Sequence, residues 1–563
     1  MLRTMWRSSA STSSTGVFPR ARRRSALIAA LVAVVAALGA TAAYSASSPS
    51  WTMGSQGITN WRYQPDEHKL TAGNVKSQLS LQWVSTLAGD ISATPAVVDG
   101  VVYVPDWGGK FSALNATTGA VIWQDDVATL TGVAGAVSRT SPAVSGNSVV
   151  FGTQKGAYLV SVNKSTGVLN WKTKLDSHSL AIVTQSPTIY NGVVYDGAAS
   201  TEENGVDCGA SVNACSFRGS ESAVDLATGA VHWKSYTISA AQSAAGYSGS
   251  AVWSSSPAID VKRQSVYITT GNNYGVPPSV KACATAAGTD LAALAACEPQ
   301  NNGNYVDAIL SLDLADGHIK WANKVQGYDA WTTACIGFPT ACPTPQGPDF
   351  DFGQGAMLIP TKTSGDHQSG DHQSGDIVAA GQKSGILWGL NADTGAKVWG
   401  TLVGPGSSLG GLEWGSATDG KRIYFAVVNL GGVTYPMVNA PKGTPATSSS
   451  GSWGAADPAT GKVLWQTADP NGAIDLGPVS VANGVVYASS FGGPVHFFPG
   501  PPNPPAPTMF ALDAKNGKQL WQFTSGGSVN AGPAIAGGRV YWGSGYSNLG
   551  LGDPNAKLFA FGR

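Results

Sequence analysis

Charged residues are scarce in this chain, and neither sign of charge dominates. Asp, Glu, Lys and Arg make up 12% of the 563 residues, and 34 basic side chains balance 34 acidic ones. No block of basic residues occurs, so binding to the phosphate backbone of a nucleic acid is excluded as the main role. Long Leu/Glu/Lys stretches are also rare, whereas 71 glycines, 32 prolines and 18 tryptophans are present. This composition predicts many short strands joined by tight turns.

Cysteines are few, and their spacing lacks the usual metal-binding motifs. No CxxC or HxxxH motif accompanies them, so zinc binding is the weaker interpretation. An even number of cysteines in an exported chain favours disulfides, and pairing between near neighbours would close each loop without crossing the core. The sequence leaves the connectivity open. The near neighbours are Cys208/Cys215, Cys283/Cys297 and Cys335/Cys342.

The N-terminus carries a targeting pattern. The first 24 residues contain six arginines and no acidic residue, and an almost wholly apolar run follows over 26–43. With the small residues Ala40-Thr41-Ala42, this pattern predicts a secretory signal within residues 1–45, and Arg23-Arg24 is a weak match to a twin-arginine signal. The alternative is an uncleaved membrane anchor. We therefore expect an exported protein that is secreted, periplasmic or associated with the cell envelope, with residues 46–563 forming one domain.

A repeated motif predicts the architecture. Asn/Asp-x-x-x-Gly-x-x-x-Trp occurs seven times, from Asn115-Gly119-Trp123 to Asp513-Gly517-Trp521. Strand-like segments flank each Asn/Asp-to-Gly turn, so each motif predicts a β-hairpin closed by a tryptophan. A second hairpin, such as the one around Asp99-Gly100, precedes most copies. Each unit therefore contains four antiparallel strands, and such units in series predict a β-propeller.

The chain ends predict the number of blades. The last segment has three strands of a unit, and the strand-like segment Leu79–Trp83 supplies a fourth from the N-terminal side. The expected fold is all-β, an eight-bladed propeller whose last blade is closed by an N-terminal strand. The tryptophans of the repeat are expected to be structural. His367 and His372 lie in a repeated low-complexity stretch that predicts a solvated loop.

Polar residues at the ends of predicted strands suggest a cation site. They are Glu202 and Glu203, Asn272 in Thr270-Gly271-Asn272, Asp329, and the segment Asp349-Phe350-Asp351. In a propeller these strand ends converge on the central axis, and carboxylate and amide oxygens are the ligands that calcium prefers. Ordinary capped turns are the alternative interpretation of each residue taken alone.

These features resemble the pyrroloquinoline-quinone (PQQ) dehydrogenases, and the loop sequences are most similar to those of the polyvinyl alcohol dehydrogenase branch. The resemblance extends from about Trp61 to the C-terminus. The segments that carry it are Arg139-Thr140-Ser141-Pro142, Phe217-Arg218-Gly219-Ser220, Gly347–Gly353, Gly411–Gly420 and Gly527–Pro533. The repeated Gly-x-x-x-Trp motif alone is unspecific, because non-catalytic scaffold propellers share it.

The resemblance implies a role for each matching residue. Glu202 or Glu203, together with Asn272 and Asp329, would bind calcium. Asp329 would also be the general base, although the second aspartate of the family's His-Asp-x-Trp-Asp segment is Thr332 here. Lys383 would stabilise charge on the reduced quinone. Residues expected at the quinone are Arg139, Thr184, Trp253, Lys383, Glu413 and Trp414.

The resemblance thus predicts a PQQ- and calcium-dependent dehydrogenase of secondary or polymeric alcohols. A calcium-polarised quinone carbonyl would accept hydride while a carboxylate takes the hydroxyl proton. Neither the adjacent-cysteine disulfide of the methanol-oxidising relatives nor a CxxCH haem motif is present in the sequence. Electrons would pass to a separate acceptor such as a cytochrome c, and any membrane contact would involve only the possible N-terminal anchor. The alternatives are a scaffold propeller without cofactor and, third, a hydrolase or sugar-binding propeller.

Overall fold

The computed structural model describes residues 49–205, Cys208, 215–337, 341–361, 375–495 and 500–563. The predicted signal or anchor, the histidine-containing loop and the start of the proline-rich connector at 497–499 lie outside the described residues. Within the described part, no helix is both long and apolar enough to cross a membrane. The described residues form eight sheets of four or five strands arranged as propeller blades, together with two two-stranded sheets, so the fold prediction is confirmed.

The first half of the ring follows an entry segment. That segment contains β1 (Tyr63–Gln64), α1 (Val75–Gln78) and β2 (Ser80–Thr86). Blade 1 comprises β3 (Ala96–Val98), β4 (Val101–Pro105), β5 (Lys110–Asn115) and β6 (Val121–Asp126), followed by α2 (Val127–Thr131). Blade 2 comprises β7 (Ala143–Ser145), β8 (Ser148–Gly152), β9 (Tyr158–Asn163) and β10 (Leu169–Lys174). Blade 3 comprises β11 (Ala181–Ile182), β12 (Thr188–Tyr190), β13 (Val193–Ser200), β14 (Ser220–Asp225) and β15 (Val231–Tyr236). Next come α3 (Ala240–Ala245) and β16 (Ser248–Gly249), and blade 4 begins with β17 (Ala258–Asp260) and β18 (Ser265–Thr269).

The second half contains the longest insertion. It consists of β19 (Asn273–Gly275), α4 (Pro278–Ala287) and α5 (Leu291–Cys297), before blade 4 ends with β20 (Ala308–Asp313) and β21 (Ile319–Lys324). After α6 (Ala334–Gly337), blade 5 comprises β22 (Met357–Ile359), β23 (Ile377–Gly381), β24 (Ile386–Asn391) and β25 (Lys397–Leu402). Blade 6 comprises β26 (Ala417–Thr418), β27 (Ile423–Val427), β30 (Ser452–Ala456) and β31 (Val463–Ala468), with the ribbon β28 (Tyr435–Pro436) and β29 (Thr447–Ser448) inserted. Blade 7 comprises β32 (Ser480–Ala482), β33 (Val485–Ser490), β34 (Thr508–Asp513) and β35 (Gln519–Thr524). Blade 8 comprises β36 (Ala534–Ala536), β37 (Arg539–Ser544) and β38 (Lys557–Gly562), with β2 as its outer strand.

Blade 8 joins the two ends of the described chain. Strand β2 pairs antiparallel with β38, so that Leu81 lies opposite Phe561 and Trp83 opposite Ala560. The predicted closure by an N-terminal strand is therefore present. This pairing closes the ring by backbone hydrogen bonds between strands that are distant in sequence.

The repeated motif holds neighbouring blades together. Trp83 and the first six tryptophans of the repeated motif each donate the indole N–H to a carbonyl in the turn of the next blade, as in Trp171 to Leu226 O at 2.9 Å. The turn glycine packs on that indole: a Cβ added at Gly229 would lie 2.7 Å from the Trp171 ring, and its φ is +76°. The apolar core lies between adjacent blades, as where Val194 and Val224 pack with Val150. The tryptophans are structural, as expected.

An extended N-terminal strap, defined here as residues 51–64, lies against the innermost strands. Carbonyls of the strap accept N–H groups from blades 2, 4, 5, 6 and 7. The pairs are Val144 to Thr52, Ile259 to Ile58, Leu358 to Thr59, Thr418 to Trp61 and Val481 to Arg62. Trp51 bridges Val97 in blade 1, and Gln64 Nε2 donates to Ile535 O in blade 8. The innermost edge of a blade has unpaired backbone groups, and the strap satisfies them.

Three disulfides stabilise the insertions. The pairs are Cys208–Cys215, Cys283–Cys297 and Cys335–Cys342, with Cα–Cα distances of 4.8, 5.7 and 4.6 Å. Each joins near neighbours in sequence, as predicted. The loops that contain the first and third disulfides contact each other, since Thr333 N donates to Glu203 O at 2.8 Å.

Candidate active site

The candidate site lies where the loops of several blades converge. In an antiparallel blade, the start of the innermost strand and the end of the second strand lie at the same end of the sheet. Arg139, Thr184, Trp253 and Glu413 precede innermost strands, whereas Glu203, Asn272 and Lys383 follow second strands. Asp349 and Asp351 precede the innermost strand of blade 5. The propeller thus brings residues from blades 2 to 6 to one end of its axis.

Lys383 is the central cation of the site. Its Nζ lies 3.1 Å from Asp349 Oδ1 and 2.6 Å from Asp351 Oδ1, and all three side chains are buried. Burial disfavours the ammonium ion, but attraction to these two carboxylates outweighs it and holds the pKa of Lys383 well above its usual range. The lysine is therefore charged at neutral pH.

Trp253 orients one of these carboxylates. Its indole Nε1–H donates to Asp351 Oδ2 at 2.8 Å, and Lys383 Nζ lies 5.2 Å from its ring centroid. This contact between the indole and the carboxylate requires a glycine at position 271, because a Cβ at Gly271 would lie 2.8 Å from Asp351 Oδ2 and 2.9 Å from Trp253 Nε1. Asp351 is consequently fixed between an indole and an ammonium group.

Glu203, Asp349 and Asp351 form a carboxylate cluster. One oxygen from each lies within 4.8 Å of the others, which suits a shared cation. Burial and then repulsion from Asp351 raise the pKa of Glu203 to about 7, while Lys383 acts in the opposite direction. The cluster therefore has more carboxylates than its lysine neutralises.

Glu202 has a different role from its neighbour. Its carboxylate accepts the backbone N–H groups of Ser216 and Phe217, at 3.0 and 2.8 Å to Oε2, and it lies 3.1 Å from His178 Nε2. Glu202 thus anchors the loop closed by Cys208–Cys215. Of the two glutamates that the sequence left open, Glu203 is the one in the cluster.

Asn272 has a free oxygen. Its Nδ2 donates to Trp331 O at 2.7 Å and to Asn273 O at 3.2 Å, which fixes the orientation of the amide. No donor among the described residues contacts Oδ1, so this oxygen is available as a ligand. Asn272 also adjoins Gly271, which contacts the Trp253–Asp351 pair.

Asp329 lies beside the cluster and supports it. Its Oδ1 accepts Asp349 N–H at 3.1 Å, and its Oδ2 accepts Phe350 N–H at 2.7 Å. Burial raises the pKa of Asp329 to about 6, against the lowering effect of those two N–H groups. Both oxygens hold the segment that carries Asp349 and Asp351. These contacts suit a positioning carboxylate better than the predicted general base.

Arg139, Thr184, Glu413 and Trp414 complete the site on the other side of Trp253. The Trp253 and Trp414 rings pack edge to face with centroids 5.4 Å apart, and Arg139 Cζ lies 4.7 Å above Trp414. Thr184 Oγ1 donates to Trp253 O at 3.2 Å. Burial raises the pKa of Glu413 to about 8, with Lys383 acting against this shift. Arg139, Thr184 and Trp414 line a cavity of about 50 Å³.

The residues fit calcium and PQQ. Asp349 Oδ2 and Glu413 Oε2 are buried without a hydrogen-bond partner among the described residues, as expected where a ligand completes the site. Oxygen donors from Glu203, Asn272 and the Asp349/Asp351 segment suit a hard cation. The indole of Trp253 offers an apolar face for a planar ring, and Arg139 offers a cation for an anionic one.

Two site residues were missing from the sequence-based assignment. The segment Asp349-Phe350-Asp351 belongs to the predicted cation site without a role for either aspartate, whereas the structure places both at Lys383. The signal that could have found them is the i, i+2 spacing of the two aspartates. Two acidic residues at that spacing in an extended segment project to the same side.

The fold and site define a PQQ-type propeller with a carboxylate-rich centre. The chain belongs to the PQQ_2 family, because the sequence model of that family, described as outer membrane protein assembly factor BamB, matches residues 75–323 and 449–550. The polyvinylalcohol dehydrogenase of Pseudomonas sp. is 28% identical over 531 residues, or 88% of this chain and 73% of that protein. The polyvinylalcohol dehydrogenase of Sphingopyxis sp. (strain 113P3) is 28% identical over 521 residues, or 84% and 69%.

A solved structure shares the fold. The quinohemoprotein alcohol dehydrogenase ADHIIG from Pseudomonas putida HK5 superposes with a TM-score of 0.67 at 18% identity, over 91% of this chain and 80% of that one. The sequence relatives confirm the predicted resemblance to PQQ-dependent alcohol dehydrogenases and to their polyvinyl alcohol branch. They also confirm the predicted enzyme class, oxidoreductases that act on CH–OH groups.

Proposed function

We propose that this chain oxidises secondary or polymeric alcohols to ketones with PQQ and calcium. The observation that carries the proposal is the constellation of Lys383, Asp351, Trp253 and Glu203 at the end of the propeller axis. It combines a cation site, a positioned proton acceptor and an aromatic face. The relatives named above support alcohols as the substrate class, and the polymeric substrate follows from the names of two of them.

Calcium would be held by oxygens from three blades. We assign Glu203, Asn272 Oδ1 and Asp349 as its protein ligands, because Asp349 Oδ2 is buried without a hydrogen-bond partner among the described residues. Glu202 acts indirectly, by anchoring the loop that carries Glu203. The net negative charge of the cluster favours a divalent cation over water alone.

Asp351 would accept the hydroxyl proton of the alcohol. Its carboxylate lies between Trp253 Nε1–H and Lys383 Nζ, which fix its orientation before substrate arrives. A positioned base of this kind typically contributes about 10²–10⁴-fold in rate. Asp329, which the sequence suggested for this role, would instead hold the 349–351 segment in place.

When bound, PQQ would supply an electrophilic quinone as the hydride acceptor, and calcium would supply Lewis-acid polarisation. The chain's own residues would place the ring. Trp253 would lie under it, and Arg139, Thr184, Glu413 and Trp414 would surround its edge. Lys383 would stabilise negative charge that develops beside it.

We further propose that the protein acts outside the cytoplasm and passes electrons to a separate acceptor such as a cytochrome c. The structure contains three disulfides, and disulfides persist in oxidising compartments. The signal within residues 1–45 and the single domain of residues 46–563 stay predictions.

The test is reconstitution of the purified protein with PQQ and calcium. We expect quinone binding, followed as quenching of tryptophan fluorescence, and dye reduction with a secondary alcohol such as 2-propanol or with polyvinyl alcohol. Quinone binding without turnover on any alcohol would contradict the proposed activity. Absence of both would leave only the scaffold alternative.

Two matched variants separate the candidate bases. Asp351→Asn is expected to lower kcat at least 100-fold with PQQ binding retained. Asp329→Asn removes one backbone acceptor and is expected to lower kcat much less. The reverse ranking would return the base role to Asp329.

A further inference from the structure

Arg62, at the end of the N-terminal strap, is a buried guanidinium that points into the central cavity. It is 3% exposed and lines the same cavity as Arg139. Its Nε donates to Val479 O at 2.9 Å, Nη1 to Gly54 O at 2.8 Å and Nη2 to Thr94 Oγ1 at 2.9 Å. A guanidinium has five N–H groups, so these three bonds leave two without a partner among the described residues.

The charge of Arg62 is not neutralised by any described carboxylate. No ion pair involves this residue in the described part of the chain, and burial alone lowers the pKa of its guanidinium to about 9. Arg139 differs in this respect, because its charge acts on Glu203 and Glu413. A buried charge without a counter-ion is costly, so a mobile anion would stabilise Arg62.

The surrounding chain leaves room for the guanidinium. A Cβ at Gly532 would lie 2.0 Å from Arg62 Nη2, and a Cβ at Gly415 would lie 3.2 Å from its Cδ. Both glycines precede innermost strands, in blades 8 and 6. The guanidinium therefore fits because two glycines, which are far apart in sequence, have no side chain to occupy its position.

The lining of the cavity suits a negative ligand. The residues that line it carry two cations and several hydroxyls, and no acidic side chain is among them. The cations are Arg62 and Arg139, and the hydroxyls include those of Thr94, Ser141 and Ser186. A volume of about 50 Å³ admits several waters or one small anion.

We propose that the Arg62 end of this cavity binds a small singly charged anion, either a free halide or a carboxylate group. Arg62 supplies the charge and its two remaining N–H groups, and Thr94, Ser141 and Ser186 supply neighbouring hydroxyls. A carboxylate could belong to a free acid or to the bound quinone. The proposal for the apoprotein does not depend on the proposed dehydrogenase activity.

The test measures thermal unfolding of the apoprotein. Sodium chloride or bromide replaces sodium gluconate at constant ionic strength. We expect Tm to rise by about 1 °C for each tenfold increase in halide above the Kd. Arg62→Gln should abolish this dependence. Asn60→Ala is the matched control, because Asn60 bonds the strap to Ser256 O, Gly355 O and Ala356 O without carrying charge.

Crystals of the unmodified protein in bromide provide a second measurement that does not require a variant to fold. An anomalous peak within hydrogen-bond distance of Arg62 supports the proposal, whereas bromide found only at the surface overturns it. An equal halide response in Arg62→Gln also overturns it. Loading with PQQ identifies the source: a halide response that disappears indicates a quinone carboxylate, and one that persists indicates a free anion.

Discussion

Replacing Glu413 by glutamine should change how the stability of the apoprotein depends on pH. Glu413 is 4% exposed, and its Oε2 has no hydrogen-bond partner among the described residues. Burial raises the pKa of its carboxyl from 4.5 to about 8, although Lys383 favours the charged form. The folded state therefore binds a proton that the unfolded state releases, and stability should fall as pH rises from about 4.5 to 8.

The magnitude follows from the pKa difference. At about 1.36 kcal/mol per pH unit, the loss that Glu413 alone contributes to wild type between these limits is about 4–5 kcal/mol. With an unfolding entropy of about 2.1 cal/mol/K per residue, a chain of roughly 500 residues should lose about 4 °C in Tm. Glu413→Gln removes the titrating group, so its Tm should fall less over the same range.

The assay is differential scanning fluorimetry of both proteins from pH 4.5 to 8.5, without quinone or calcium. Asp66→Asn, at an exposed carboxylate, serves as the control and should follow wild type. Parallel pH profiles for wild type and Glu413→Gln would refute the reasoning, because Glu413 would then have similar proton affinity in both states.

Other variants test the cation site and the blade contacts. Glu203→Gln should weaken calcium binding at least tenfold, as measured by calorimetry. The calcium affinity of wild type should rise from pH 6 to 8, because calcium competes with the proton of the Glu203 carboxyl, whose pKa is about 7. A calcium affinity that does not change with pH would contradict this. Glu202→Gln should weaken calcium binding less, since that side chain only anchors the loop. Gly229→Ala should lower Tm more than Gly192→Ala, because both glycines have similar positive φ but only Gly229 contacts Trp171; equal losses would show that the contact contributes nothing.

The architecture could be predicted from sequence because its signals are local and repeated. Each Asn/Asp-to-Gly turn fixes one hairpin, and the tryptophan four residues later marks the contact with the next blade. The closure by β2 followed from counting strands at both ends. These inferences need only residues that are near one another in the chain.

The strap was not predictable in the same way. Residues 51–64 have no repeat, and their partners are single backbone N–H groups spread over Val97 to Val481 and a carbonyl at Ile535. Which innermost strand each carbonyl meets depends on the closed ring. Arg62 consequently carried no recognisable signal.

The candidate site was predicted in part. Glu203, Lys383 and Trp253 lie around Asp351, and Asn272 follows Gly271 beside the Trp253–Asp351 pair; their roles toward a quinone and a cation stay predictions. Glu202 accepts the backbone N–H groups of Ser216 and Phe217, which leaves Glu203 for the cluster. The sequence alone does not indicate which of the two glutamates makes these bonds.

The sequence could not decide which of two aspartates, Asp329 or Asp351, is placed to accept a proton. Asp329 and Asp351 are both buried aspartates near the axis, and the Trp331 beside Asp329 favoured the first in sequence. The structure separates them by their partners: backbone N–H groups for Asp329, and Lys383 with Trp253 for Asp351.

The central claim is that Glu203, Asn272 and Asp349 bind a cation beside a quinone that lies on Trp253. Its most direct test is a crystal structure of the protein grown with PQQ and calcium. We expect calcium within about 2.3–2.6 Å of oxygens from those three side chains, with the quinone ring against the indole. Calcium bound elsewhere, or a quinone absent from the Trp253 face at saturating concentration, would contradict it.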